Sequence, residues 1–253
     1  PIRVHACNCV RAAVMTWVLH TAAQAAGNNL SAPHATFTLT AGAAVAVGEL
    51  INVAITFGQL SNVPASSVIT DNLGNTYTNR TRTTDATNQQ VVETWRCIVT
   101  VAGTPTIQSQ YNPTPGTTQA QNTVMSIDPF TGSDAASAND GQNAQLQNAP
   151  GTGTDAVSSG TITTATNGSL VYGACIESST GTDPGSIGTG FTLAQSNPGG
   201  GLVLKTEWKT QVTAGATAAT FTTASGAGAF LTAGHAITPA ASVLTPLVGQ
   251  ACL

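Results

Sequence analysis

The stretch QVVETWRCIVTVAGT, residues 90–104, decides the fold class. On an extended chain Val91, Trp95, Cys97, Val99 and Val101 fall on one side, and Thr94, Arg96 and Thr100 on the other. Alternation with a period of two marks a half-buried strand. The closing Ala102-Gly103-Thr104-Pro105 supplies a turn and then a residue that cannot extend the ladder. A second stretch of the same design, LVLKTEWKTQVTAGA, fills residues 202–216. It places Leu202, Leu204, Trp208 and Val212 on an apolar face, and Lys205, Glu207 and Lys209 on a face expected to be wet and cross-paired.

Outward from these two stretches the same order of strands is read twice along the 253 residues. The first set comprises 35–40, 49–57, 67–71 paired with 75–79 across Asn72-Leu73-Gly74, then 90–101, 106–111 and 122–130. The second comprises 160–164, 168–171 with the apolar residues that follow, 190–192, 202–212, 217–222 and 229–238. Residues 131–154 are rich in Gly, Asn and Asp without periodicity and read as a loop or linker.

The expected fold is therefore all-β: an antiparallel, jelly-roll-like sandwich of two pseudo-repeated sets, each of about six strands. The first half spans 35–130 and the second 157–238, joined by a linker at 131–156 and flanked by an N-terminal arm, 1–34, and a C-terminal arm, 239–253. One continuous two-sheet sandwich is expected in preference to two cores, because each half alone has few large apolar residues.

Composition excludes several function classes. Charged residues are 7% of the chain, against roughly 25% in ordinary soluble domains. Thr, Asn, Gln and Ser must supply solubility instead. Seven Lys and Arg against eleven Asp and Glu give a net charge of -4 with no basic run, so nucleic acid is not an expected partner. No stretch approaches the ~20 apolar residues of a membrane-spanning helix. Residues 10–26 come nearest but contain Arg11, Thr16, His20, Thr21 and Gln24, and read as an amphipathic arm. Cys7, Asn8 and Cys9 interrupt what a secretory signal would need as an apolar run, so synthesis in the cytoplasm without export is expected. The alternative is an exported precursor trimmed at Pro1.

Enzymatic motifs are weak. Gly151-Thr152-Gly153-Thr154-Asp155-Ala156 follows Pro150 in a loop instead of joining a strand to a helix, and the chain has no phosphate-binding GxxxxGK[ST] and no GxSxG elbow. Carboxylate pairs for glycoside hydrolysis would come from Glu93, which shares the Trp95 face, Glu207, or the strand-end residues Glu49 and Glu177, expected at a solvated rim. His5, Cys7, Cys9 and His20 lack the spacing of a structural zinc site. Asp128, Asp134 and Asp140 are too dispersed for a calcium loop and read as solvated loop residues. No enzyme activity, metal or cofactor is expected.

The five cysteines divide by context. Cys97 lies on the Trp95 face and Cys175 aligns with Ile55 of the first half, so both are expected in the core beside Trp95 and Trp208. A bridge between Cys97 and Cys175 requires neighbouring strands. Cys7, Cys9 and Cys252 lie in the terminal arms and are candidates for a cross-link between subunits.

The order of a Thr-rich strand, Gly48-Glu49-Leu50-Ile51-Asn52-Val53-Ala54, Asp71-Asn72-Leu73-Gly74-Asn75-Thr76-Tyr77, and a Trp strand ending Ala102-Gly103-Thr104 resembles a group of β-sandwich proteins of tailed-phage virions and bacterial surfaces. Gly168-Ser169-Leu170-Val171 and Gly188-Thr189-Gly190-Phe191 fit the same scheme in the second half. The likeness runs from about residue 35 to residue 239 and leaves the Cys-bearing arm without a counterpart. It implies a structural role without catalytic residues, such as capsid decoration or cementing, head or tail surface fibres, or attachment. Expected partners are further copies of the chain and virion structural proteins such as the major capsid protein, with a surface glycan as a further candidate. The expected location is the virion. The alternative is an exported cell-surface adhesin or filament subunit; a carbohydrate-binding module ranks third, because three Trp and three Tyr offer little for an aromatic platform.

Overall fold

A computed structural model describes residues 10–12, 16–29, 35–58, 67–111, 120, 122–134, 136–148, 156–177, 183–199, 202–223, 228–241 and 244–246. Among these, regular structure is strand apart from one short 3-10 turn at Thr21–Ala23. The first strands are β1 (Val10–Ala12), β2 (Val18–Leu19), β3 (Ala25–Asn29), β4 (Thr36–Thr40) and β5 (Leu50–Gly58). They are followed by β6 (Ser67–Asp71), β7 (Thr78–Asp85), β8 (Gln90–Ile98), β9 (Thr106–Tyr111) and β10 (Asn122–Thr131). Next come β11 (Asn139–Asn148), β12 (Ala156–Ser158), β13 (Ile162–Thr164), β14 (Ser169–Glu177), β15 (Ser186–Ile187) and β16 (Thr192–Gly199). The last are β17 (Leu202–Gln211), β18 (Gly215–Thr217), β19 (Thr220–Thr222), β20 (Ala229–Ile237) and β21 (Leu244–Pro246).

The fold is an all-β, antiparallel sandwich. One large sheet runs β10-β5-β8-β7, with β2 and β3 both pairing with the free side of β10. The other runs β11-β20-β14-β17-β16. The order β10-β5-β8-β7 thus has its counterpart in β20-β14-β17-β16, with β3 and β11 at equivalent edges. A small sheet, β4-β9-β6, lies over the first large sheet; β12-β19-β15 and β13-β18 lie over the second.

Side-chain alternation along β5 explains the layering. Ile51, Val53, Ile55 and Phe57 pack with Trp95, Cys97, Ile107 and Tyr111 on one face. Leu50 and Ala54 pack on the other face with Leu170, Tyr172, Leu204 and Leu231 of the second large sheet. Four layers therefore enclose a central core and two outer ones. This corrects the expectation of a single two-sheet sandwich: small side chains such as Ala54, Ala174 and Ala233 let the large sheets meet face to face, so each half completes its core against the other.

The 90–104 stretch is corrected in the same way. Its strand, β8, is covered on both faces, with Thr94 fully buried in the central layer, whereas Val101, expected on the apolar side, lies beyond the strand and is 46% exposed. On β17, Lys205 and Glu207 are buried on the face expected to be wet, because β15 and β19 cover it, whereas Val212 lies beyond the strand and is 77% exposed. The expected hairpin of 67–71 with 75–79 is also absent: β6 pairs with β9 in the small sheet, and the chain crosses to β7 in the large one. The expected linker contains β11, a ten-residue edge strand paired with β20. Its periodicity was hidden because Gln and Asn occupy both of its faces. The expected N-terminal arm contributes β2, β3 and the buried Trp17 and Ala23 to the body.

Candidate functional site

Charge-bearing residues in the core are consumed by structural bonds. Asp128 of β10 lies in the central layer, where Gln24 and Gln195 donate to Oδ1, each at 2.7 Å, and the Tyr172 hydroxyl and Thr206 donate to Oδ2 at 2.7 and 3.0 Å. Burial raises its pKa, partly offset by these four donors. In the same layer the His235 ring meets Thr94 Oγ1 at 2.9 Å and Asn52 Oδ1 at 3.0 Å. Since Oδ1 only accepts, Nε2 carries the proton and Nδ1 receives the Thr94 hydroxyl. Burial, with Arg80 and Arg96 nearby, lowers the His235 pKa to about 3.

The carboxylates considered for glycoside chemistry do not converge on an open cleft. Glu93 is buried in the first outer core, bonded to Ser67, Arg82 and Trp95. Glu207 lies under the second small-sheet layer and accepts backbone N–H bonds from Gly188 and Thr220, both at 2.8 Å; burial lifts its pKa to about 7. Glu177, expected at a rim, is buried, and so are Asp128 and Asp140, expected in solvated loops. Asp140 binds the backbone N–H groups of Ala165 and Thr166 and the Ser169 hydroxyl. Among the described residues no group of three or more His, Cys, Asp and Glu could hold a metal ion.

Cys97 and Cys175 are buried free thiols in the two outer cores, each pushed up to about 12 by burial. Trp95 is buried in the first outer core, while Trp208 is half-buried against the central one with its ring edge-on to Phe130 at 5.3 Å. Cys7, Cys9 and Cys252 lie outside the described residues, as does His5.

A different feature stands out at one pole of the body. There β10 ends, β5 and β14 begin, and Ser133 donates to Gly48 O at 2.7 Å. Trp17 Nε1 donates to Gly168 O at 2.8 Å, joining the incoming chain to the second half, and Ala240 N donates to Gly132 O at 2.9 Å as the chain leaves. Gly132 has φ +107, and a Cβ there would lie 2.9 Å from Thr16 O and 3.1 Å from Trp17 Cα. Glycine alone permits the crossing. Beyond it β1 and β21 pair antiparallel with each other, Ala12 opposite Leu244 and Val10 opposite Pro246, and with no other described strand. The two ends of the body thus leave one pole as a two-stranded ribbon.

Of the seven exposed large hydrophobics among the described residues, four (Val18, Val47, Val101 and Val212) lie at this pole. Such clustering marks a contact surface more than scattered exposure does. Beside them a groove of about 700 Å³ is lined by residues 46–49, 98–100 and 131–134. Its apolar side chains are Ala46, Val47 and Ile98, while Val99 turns its side chain into the first outer core; its charged ones are Glu49, which pairs with His20 at 3.2 Å, and Asp134. Sequence reading missed the groove because its three segments are distant in the chain. The one signal was the apolar Ala-Val pattern of residues 43–47, just before β5.

The fold defines the chain as an all-β sandwich whose most distinctive surface is the ribbon-bearing pole. No protein-family model, curated protein or solved structure matches it. No helix among the described residues is long and apolar enough to cross a membrane.

Proposed function

We propose that this chain is a non-enzymatic structural protein of a phage virion surface, a capsid decoration or cement protein that docks through its terminal arms on the major capsid protein and on further copies of itself. One observation carries the reading: the entering and leaving chains meet at Gly132 and continue as the β1–β21 ribbon, which no other described strand extends. A ribbon that pairs with no further described strand offers its edges and added contact area to a partner. The exposed valines around its root support the same use, and the near absence of charge suits close packing of many copies. The equal strand orders of the two large sheets support an origin in a duplicated, jelly-roll-like unit.

The open edges of the ribbon also favour a second reading, an exported adhesin or filament subunit that adds a strand to its neighbour. Gradient fractionation of the natural source, with mass spectrometry of each fraction, separates the two. Migration with capsids or tails upholds the virion reading. Migration with cell-surface filaments replaces it with the second, and recovery only as free protein removes both.

A further inference from the structure

We propose that the groove at residues 46–49, 98–100 and 131–134 receives the N-terminal segment Ile2-Arg3-Val4-His5 of a second copy of this chain. The inference rests on the assembly reading above and gives it a contact. Complementarity chooses the occupant. The groove combines apolar Val47 and Ile98 with two acidic side chains, Glu49 and Asp134, and no Lys or Arg lines it. On an extended chain Ile2 and Val4 would fall on one side and Arg3 and His5 on the other, so that the apolar side chains can reach the floor while the Arg3 cation meets the acidic rim. Its own partners leave the carboxylates available: Glu49 Oε2 accepts from His20 and Ala46 N, and Asp134 accepts backbone N–H bonds from Ala136 and Ala241, none of which is a fixed cation.

Chain direction favours a neighbour over self-docking. β1 runs toward the body and β21 away from it, with Ala12 and Leu244 at the tethered end, so residues 2–5 precede the far end of the ribbon. The chain therefore joins the ribbon at Val10, the end farther from the groove of its own copy. A head-to-tail contact of this kind, arm of one copy into groove of the next, is heterologous and yields rings or chains.

The test is the mass of the full chain by light scattering across a concentration series, with reductant so that Cys7, Cys9 and Cys252 form no covalent link. Wild type is expected to give species heavier than 25.3 kDa. Arg3→Glu spoils the arm and keeps the groove; Val47→Lys spoils the groove and keeps the arm, at a side chain 65% exposed and so of little weight for folding. Each alone is expected to stay at 25.3 kDa, and their equimolar mixture to regain a species of twice that mass, because one sound arm meets one sound groove. Val212→Lys, an exposed valine of the same pole outside the groove, should assemble as wild type does. Assembly of both single variants like wild type, failure of the mixture to complement, or a wild type at 25.3 kDa throughout would overturn the inference. Co-migration with capsids would in each of those cases still uphold the decoration reading.

Discussion

The Tyr172 hydroxyl of β14 donates to Asp128 Oδ2 of β10 at 2.7 Å, across the seam between the two large sheets. It belongs to a set of four donors drawn from the entering chain, β14, β16 and β17. Tyr172→Phe leaves three donors and should cost about 1 kcal/mol. Asp128→Ala takes that acceptor from the buried Tyr172 and Thr206 hydroxyls, while Gln24 and Gln195 keep backbone carbonyl partners, and should cost about 2–3 kcal/mol. Urea unfolding of both variants checks the order; equal losses would show that the set does not act through Asp128.

Two buried groups give stability opposite slopes with pH. Glu207, raised to about 7, binds its proton more tightly when folded, so its contribution is full below about pH 4.5 and is lost as pH rises to about 7. His235, lowered to about 3, contributes fully above about pH 6.5 and loses that as pH falls to about 3. Between about pH 4.5 and 6.5 the two largely cancel. Glu207→Gln should therefore expose a stability that climbs with pH through that window, and His235→Gln one that falls. Denaturant midpoints from pH 4 to 8 read both slopes, and unchanged profiles would refute the assignment.

Cys97 and Cys175, buried with pKa pushed up to about 12, should resist alkylation in the folded chain and react on denaturation. Intact-mass measurement after native and denatured labelling counts the protected thiols; rapid native labelling at either residue would contradict its placement. Unlabelled protein run with and without reductant tests whether Cys7, Cys9 and Cys252, the candidates for a cross-link, join subunits; an unchanged mass is the negative result.

Gly132→Ala should cost roughly 1–3 kcal/mol, because φ +107 and the 2.9 Å approach to Thr16 O both exclude a Cβ. The loss should localise to the crossing, with faster hydrogen exchange over 17–19 and at Ala240 than in β5 or β14. Uniform acceleration throughout the body would point to global destabilisation instead.

Strand existence was legible in the sequence wherever apolar residues alternate or run together, as in β5, β8, β10 and β14. What they face was not. Thr94 and Asp128 read as outward or loop residues, yet they lie in the central layer, since a polar side chain with a partner on another sheet looks the same in sequence as one that meets water. Glu207 misled for the same reason: the residues that cover it belong to β15 and β19, remote in the chain. β11 was missed because its alternation is between Gln and Asn, with Leu146 as its one large apolar side chain. At the pole, the convergence of the entering and leaving chains on Gly132 depends on tertiary placement that no local pattern encodes.

Entry and exit at a single pole also decide how the protein carries mechanical load. A pull on β1 and β21 together is borne at the root of the ribbon, by the Trp17 bond to Gly168 and the Ala240 bond to Gly132, and does not pass through the ladders of the large sheets. A pull that parts β1 from β21 first unzips the ribbon one rung at a time. A body held by β1 and β21 together would therefore hang as a pendant, shielded from strain that shears a chain held at opposite ends.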